Sequence, residues 1–137
     1  MNEVMEPVHP ENETIRGVSH VMWTGKPHEA RAHARNAVFY GDKAIDRSPC
    51  GTGTCARMAV LHARGKLGIG EDYVHEGIMG TAWTGRLLRE TTVGPYRAVV
   101  PQLTGSAWIT GRAEYQLEAD DPFPAGFTVG DLWGLAD

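Results

Sequence analysis

The stretch Ala56-Arg57-Met58-Ala59-Val60-Leu61-His62-Ala63-Arg64, rich in helix formers and stopped by Gly65, reads as the one convincing helix of this sequence. After Glu71 short apolar runs alternate with glycine, and 17 glycines and 8 prolines in 137 residues favour turns and short strands over a helical bundle. The predicted strands lie at Arg16 to Thr24, Ala32 to Tyr40, Ile78 to Trp83, Arg86 to Val93, Tyr96 to Val100, Ser106 to Ile109 and Ala113 to Leu117. Turns are expected at Gly25-Lys26-Pro27, Gly41-Asp42-Lys43 and Trp83-Thr84-Gly85. The predicted class is therefore α+β, with antiparallel or mixed strands curled around a central helix. Residues 1–12, with Pro7, Pro10 and several glutamates, lack periodicity and read as an entry segment or linker remnant before a single domain over 13–137.

A net charge of −4 argues against nucleic acid as a partner, because phosphate binding draws on clustered basic residues. No apolar run reaches the ~20 residues of a membrane span, and the acidic start Met1 to Glu13 is unlike a signal peptide, so a cytoplasmic address is expected. Cys50 and Cys55 would stay reduced there.

The densest chemical signal is Asp46-Arg47-Ser48-Pro49-Cys50-Gly51-Thr52-Gly53-Thr54-Cys55, a Gly-rich loop feeding the helix. Unpaired N–H groups at such a helix start welcome an anion and favour a thiolate at Cys50. An inert buried cysteine satisfies the same local pattern, so both readings stay open on the residues alone. Gly51-Thr52-Gly53-Thr54-Cys55-Ala56 also fits a dinucleotide fingerprint, with Glu71 about twenty residues on as in that motif. However, Asp46 to Pro49 replaces the required hydrophobic strand and no second βαβ unit follows. A phosphate loop lacks its Gly-Lys-Ser/Thr ending. Cys50, Cys55, His62 and His75 match zinc spacing weakly, and no metal is expected. Read singly, His20 is a satisfied histidine, Asp46 a turn aspartate, Trp23, Trp83 and Trp108 core residues, and Arg57 and Arg64 a solvated helix face; His28, His33, His62 and His75 receive no role.

The loop resembles the second catalytic cysteine motif of the proline racemase and 4-hydroxyproline 2-epimerase family. The likeness continues through Cys55-Ala56-Arg57-Met58-Ala59, Arg35-Asn36-Ala37-Val38-Phe39, His75-Glu76-Gly77-Ile78-Met79-Gly80, Val99-Val100-Pro101, Ile109-Thr110-Gly111 and Asp121-Pro122-Phe123. It implies one lobe of a diaminopimelate-epimerase-like fold, the C-terminal one, and cofactor-independent inversion at the Cα of proline or 4-hydroxyproline by two thiols on opposite faces. Carried over residue by residue, it makes Cys50 an acid/base thiol, Gly51 and Thr52 backbone donors to the substrate carboxylate, Asp46 a partner of the substrate nitrogen and His20 a substrate contact. Cysteine at position 50, rather than threonine, favours epimerase or racemase chemistry over 3-hydroxyproline dehydration, and Gly-Thr-Gly-Thr-Cys-Ala leans toward hydroxyproline. The family's other cysteine motif, Met-Cys-Gly-His or Met-Ser-Gly-His, is not found in the chain. The expected partner is thus a first lobe or a second copy, and the alternative is an inactive half that binds a small carboxylate or serves as an interaction module.

Overall fold

A computed structural model of the chain describes residues 6–41 and 44–126. It divides into two compact units, Met1–Ala107 and Trp108–Asp137. In the first unit, β1 (Val8–His9) and β2 (Asn12–Arg16) form an antiparallel hairpin. There follow β3 (His20–Gly25), β4 (Ala34–Tyr40), β5 (Ala44–Ile45), α1 (Gly51–Ala63), β6 (Asp72–Glu76), β7 (Ala82–Val93) and β8 (Tyr96–Thr104). The main sheet runs β3-β4-β6-β7-β8, with β5 added to β4. Its pairs are antiparallel except β4 with β6, the two strands that the crossover through α1 connects. The class is α+β with a mixed sheet and one helix among the described residues.

Helix α1 packs on the sheet through Met58, which is fully buried with Leu67, Tyr73 and Leu87, while Leu61, Val99 and Leu103 pack around them. Gly85 lies in the middle of β7 because a Cβ there would fall 2.5 Å from the Met58 sulfur, so the expected turn at Trp83-Thr84-Gly85 is instead strand over which the helix closes. The helix ends in a Schellman arrangement: Gly65 takes φ +67°, its N–H donates to His62 O (2.9 Å), and Lys66 N–H donates to Leu61 O (2.8 Å). Pro101, which has no N–H to give, is tolerated in β8 because that strand is at the sheet edge and a bulge interrupts the β7 register between Leu87 and Arg89.

Several local expectations change. Residues 78–80 are turn, closed by Gly80 N–H on Gly77 O (3.0 Å), so β7 starts at Ala82 and continues unbroken to Val93. The N-terminal hairpin and β6 escaped the sequence reading. The segments Ser106 to Ile109 and Ala113 to Leu117 form no strand, because no described residue supplies the backbone ladder that strand structure requires. In the second unit, the described residues show turns, with Gly126 N–H donating to Phe123 O (2.8 Å) and Phe123 N–H to the Asp121 carboxylate (2.8 Å).

Candidate active site

Strand alternation puts His20, Met22 and Thr24 of β3 on one face, and their register with Tyr40, Val38 and Asn36 carries that face across β4. Opposite them stands the side of α1 formed by Thr52, Gly53, Ala56, Arg57 and Val60. Between the two lies an open cleft of about 670 Å³, into which Asp46 and Cys50 also project. Four of the five residues singled out in the sequence, His20, Asp46, Cys50 and Thr52, thus line one cavity. Gly51 does not line it. A Cβ on Gly51 would instead meet Trp83 and Leu103 at 3.9 Å, so this residue contributes its position at the helix start rather than a cavity wall.

Cys50 caps α1 with φ +64° and ψ 117°, the one positive φ of a non-glycine residue among those described. Such a backbone costs an L-residue on the order of 1–3 kcal/mol and persists only where the surroundings impose it. Those surroundings are specific. The Asp46 Oδ1 accepts from both Ser48 N–H (2.9 Å) and Ser48 Oγ (2.8 Å), and Ser48 Oγ in turn accepts the Cys50 N–H (3.1 Å). Asp46 is therefore the turn aspartate that its sequence position suggests and also a wall of the cleft. A Cβ on Gly53 would lie 3.0 Å from the Cys50 sulfur and 2.5 Å from the Met22 methyl, so glycine at 53 makes room for the thiol.

The first intrahelical bond is Thr54 N–H to Cys50 O, at 3.1 Å. No side chain caps the helix, and the N–H groups of Gly51, Thr52 and Gly53 have no acceptor among the described residues. Three free donors beside a thiol make a site for an anionic group. Both cysteines are free thiols, as expected. Burial, and then the neighbouring Cys50, push the Cys55 thiol up.

Behind the cleft the Cys50 loop rests on buried polar groups that the sequence reading left without a role. The Pro49 carbonyl accepts from Asn36 Nδ2 and from Thr54 Oγ1, both at 2.9 Å. The single Thr54 hydroxyl proton is thereby used, so His75 Nδ1, 2.9 Å from Thr54 Oγ1, is the donor of that contact. His75 is fully buried, and burial first, then the charge of Arg57, push its pKa down to about 4. Adjacent Glu76, also buried, accepts from His28 N–H (2.7 Å) and Glu29 N–H (2.9 Å); the Glu29 amide above all holds its carboxyl below the usual range. Arg57, read from sequence as solvated, has its Nε buried and lines the cleft. A Cβ on Gly77 would sit 2.9 Å from Pro49 N, so the chain just after β6 presses directly on the loop backbone.

A neutral buried His75 makes stability depend on pH. Its folded pKa of about 4 lies below the ordinary 6.5, so the unfolded chain takes up a proton in that window while the folded chain does not. Stability is expected to fall by about 3 kcal/mol as pH drops from 6.5 to 4, with Glu76 adding a loss of the same sign as its carboxylate protonates. His62, whose pKa is raised by the Leu67 carbonyl and Glu90, acts above 6.5 and with opposite sign, so it does not mask this window. Urea midpoints measured every half unit between pH 4 and 7.5 test this; a flat profile contradicts it.

A family model described as proline racemase matches residues 1–128. The 4-hydroxyproline 2-epimerase of Ancylobacter novellus is 54% identical over 129 residues, covering 94% of this chain and 39% of the relative. That of Spirosoma linguale is likewise 54% identical over 129 residues, again covering 94% of this chain and 39% of the relative. Among solved structures, a hydroxyproline epimerase from Agrobacterium vitis with bound trans-4-hydroxy-L-proline superposes with a TM-score of 0.74 at 36% identity, over 98% of this chain and 38% of that one. A probable proline racemase from Agrobacterium radiobacter K84 with bound carbonate gives the same TM-score and identity over 97% of this chain and 38% of that one. The chain thus spans about two-fifths of the length of the curated relatives it matches.

Proposed function

The chain belongs to the proline racemase family, and from that membership we propose that it supplies one half of a site for stereoinversion at the Cα of a cyclic imino acid, 4-hydroxyproline or proline. The observation that carries this reading is Cys50 standing at the start of α1 with three free N–H groups, inside a cleft that also holds Asp46 and His20. The substrate carboxylate binds at the N–H groups of Gly51 and Thr52, where the helix start favours negative charge. Asp46, whose Oδ2 makes no bond to a described residue, faces the substrate's secondary ammonium, and His20 of β3 contacts the substrate from the opposite wall.

The Cys50 thiolate takes the Cα proton and becomes a thiol; the electron pair left on Cα delocalises into the carboxylate, whose growing negative charge the same N–H groups stabilise. A proton then arrives on the opposite face from a second thiol, contributed by a first lobe or by another copy, and no cofactor enters the reaction. The fold that serves this is one lobe of a diaminopimelate-epimerase-like pair, working in the cytoplasm.

Thiol mapping tests the reading. At pH 7 iodoacetamide is expected to modify Cys50 well before Cys55, whose thiol is held protonated by burial and by its neighbour. Millimolar trans-4-hydroxy-L-proline should slow the Cys50 reaction and leave Cys55 unchanged. Equal rates at both cysteines with no protection point instead to an inactive half.

A further inference from the structure

With Cys50 as the cap, Gly53 N–H is one of the first-turn donors that a helix start leaves without an acceptor, and extending the helix by one residue would hand it the carbonyl at i−4, that of Pro49. That bond is not made. The Pro49 oxygen is occupied by Asn36 Nδ2 and Thr54 Oγ1, each at 2.9 Å, and Thr54 Oγ1 is held from behind by His75 at 2.9 Å. All three side chains are buried: Asn36 is 3% exposed, and Thr54 and His75 are 0% exposed. Gly77, just after β6, lies against the Ser48–Pro49 backbone with no room for even a methyl group.

We propose that Thr54, His75 and Asn36 are positioning residues that draw the Pro49 carbonyl out of the helix ladder, leaving Gly53 N–H free for the ligand and holding Cys50 in its left-handed conformation. The inference rests on the reading of Cys50 and the helix start as the site of carboxylate binding and proton transfer, and it adds Gly53 N–H to the Gly51 and Thr52 donors. His75 is the base of this clamp: as the Nδ1–H donor it fixes the Thr54 hydroxyl so that its proton can go only to Pro49. Without the Thr54 hydroxyl the carbonyl turns back toward Gly53 N–H and closes one of the three free donors.

The discriminating readout is the ratio of Cys50 alkylation by iodoacetate to that by iodoacetamide at pH 7, with Cys55 as internal reference. The two reagents differ by a carboxylate, so the ratio reports capture of that carboxylate beside the thiol, and overall exposure or thiol ionisation cancels. The wild-type chain should prefer iodoacetate at Cys50 relative to Cys55. Thr54→Val should reduce that preference about tenfold, the worth of one hydrogen bond to a charged group, whereas Thr54→Ser, which keeps the hydroxyl, should stay within about twofold of wild type.

A folded Thr54→Val variant that keeps the preference overturns the clamp alone. If Thr54→Val does not unfold cooperatively, Thr54→Ser decides: a retained preference bears the clamp out and a tenfold loss overturns it. A wild-type chain with no preference at Cys50 overturns the reading of the site itself, and the clamp with it.

Discussion

Met58→Ala is expected to lower the unfolding free energy by about 2–5 kcal/mol, the range for truncating a large core side chain, against the roughly 5–15 kcal/mol that holds a typical domain together. Met58 is fully buried and joins α1 to β7 and β8 through Leu87, Val99 and Leu103. The side that faces β7 meets Gly85, which has no side chain to swing into the vacated space, so the cavity left by alanine stays largely open. Met58→Leu conserves volume and should cost less than about 1.5 kcal/mol. Urea denaturation followed by circular dichroism measures both. An alanine variant within 1 kcal/mol of wild type, on the scale of a surface substitution, contradicts the assigned core. The consequence reaches the site, because the same helix face that buries Met58 orients the opposite face, with Gly53 and Arg57, toward the cleft.

Much of this architecture is legible in the sequence where one physical signal dominates. The helix is marked over Ala56 to Arg64 by its formers and at Gly65 by its stop, although its first turn, Gly51 to Cys55, reads as loop; β3 and β4 are marked by their β-branched and aromatic content. β6 was not legible. In Asp72-Tyr73-Val74-His75-Glu76 the two most buried side chains, His75 and Glu76, are polar and adjacent, so neither period-two hydrophobicity nor an apolar run announces a central strand. Gly85 misled in the other direction: a glycine that local rules read as a turn is placed by the tertiary approach of Met58. The β1–β2 hairpin is built almost wholly from exposed residues and carries no burial pattern to read.

Of the residues around the cleft, the resemblance singles out His20, Asp46, Cys50 and Thr52, whereas Arg57 and His75 carry no role in the sequence. Arg57 shares the helix face of Cys50 and Gly53 by their i, i+3 and i+7 spacing, and that periodicity is the available signal. Nothing local distinguishes His75, whose hydrogen-bond partner Thr54 lies 21 residues away in the chain.

Cys50→Ser is expected to lower the rate of Cα proton exchange on the order of 10³-fold, because a positioned general base contributes about 10²–10⁴ and a serine hydroxyl does not ionise near pH 7. The substitution changes one buried atom and leaves the Asp46, Ser48 and Pro49 contacts of the loop in place, so the folded chain should retain wild-type stability and its carboxylate site. Abstraction needs a base on only one face of the substrate, whereas inversion needs a second donor, so exchange and inversion separate the chemistry of this chain from that of its partner.

The most direct measurement is therefore the disappearance of the Cα proton signal of trans-4-hydroxy-L-proline in deuterated water, followed by NMR with the purified chain and with its Cys50→Ser variant. Exchange catalysed by the wild-type chain and lost in the serine variant is the expected result. A folded wild-type chain that exchanges no faster than Cys50→Ser contradicts the assignment of Cys50 as the base.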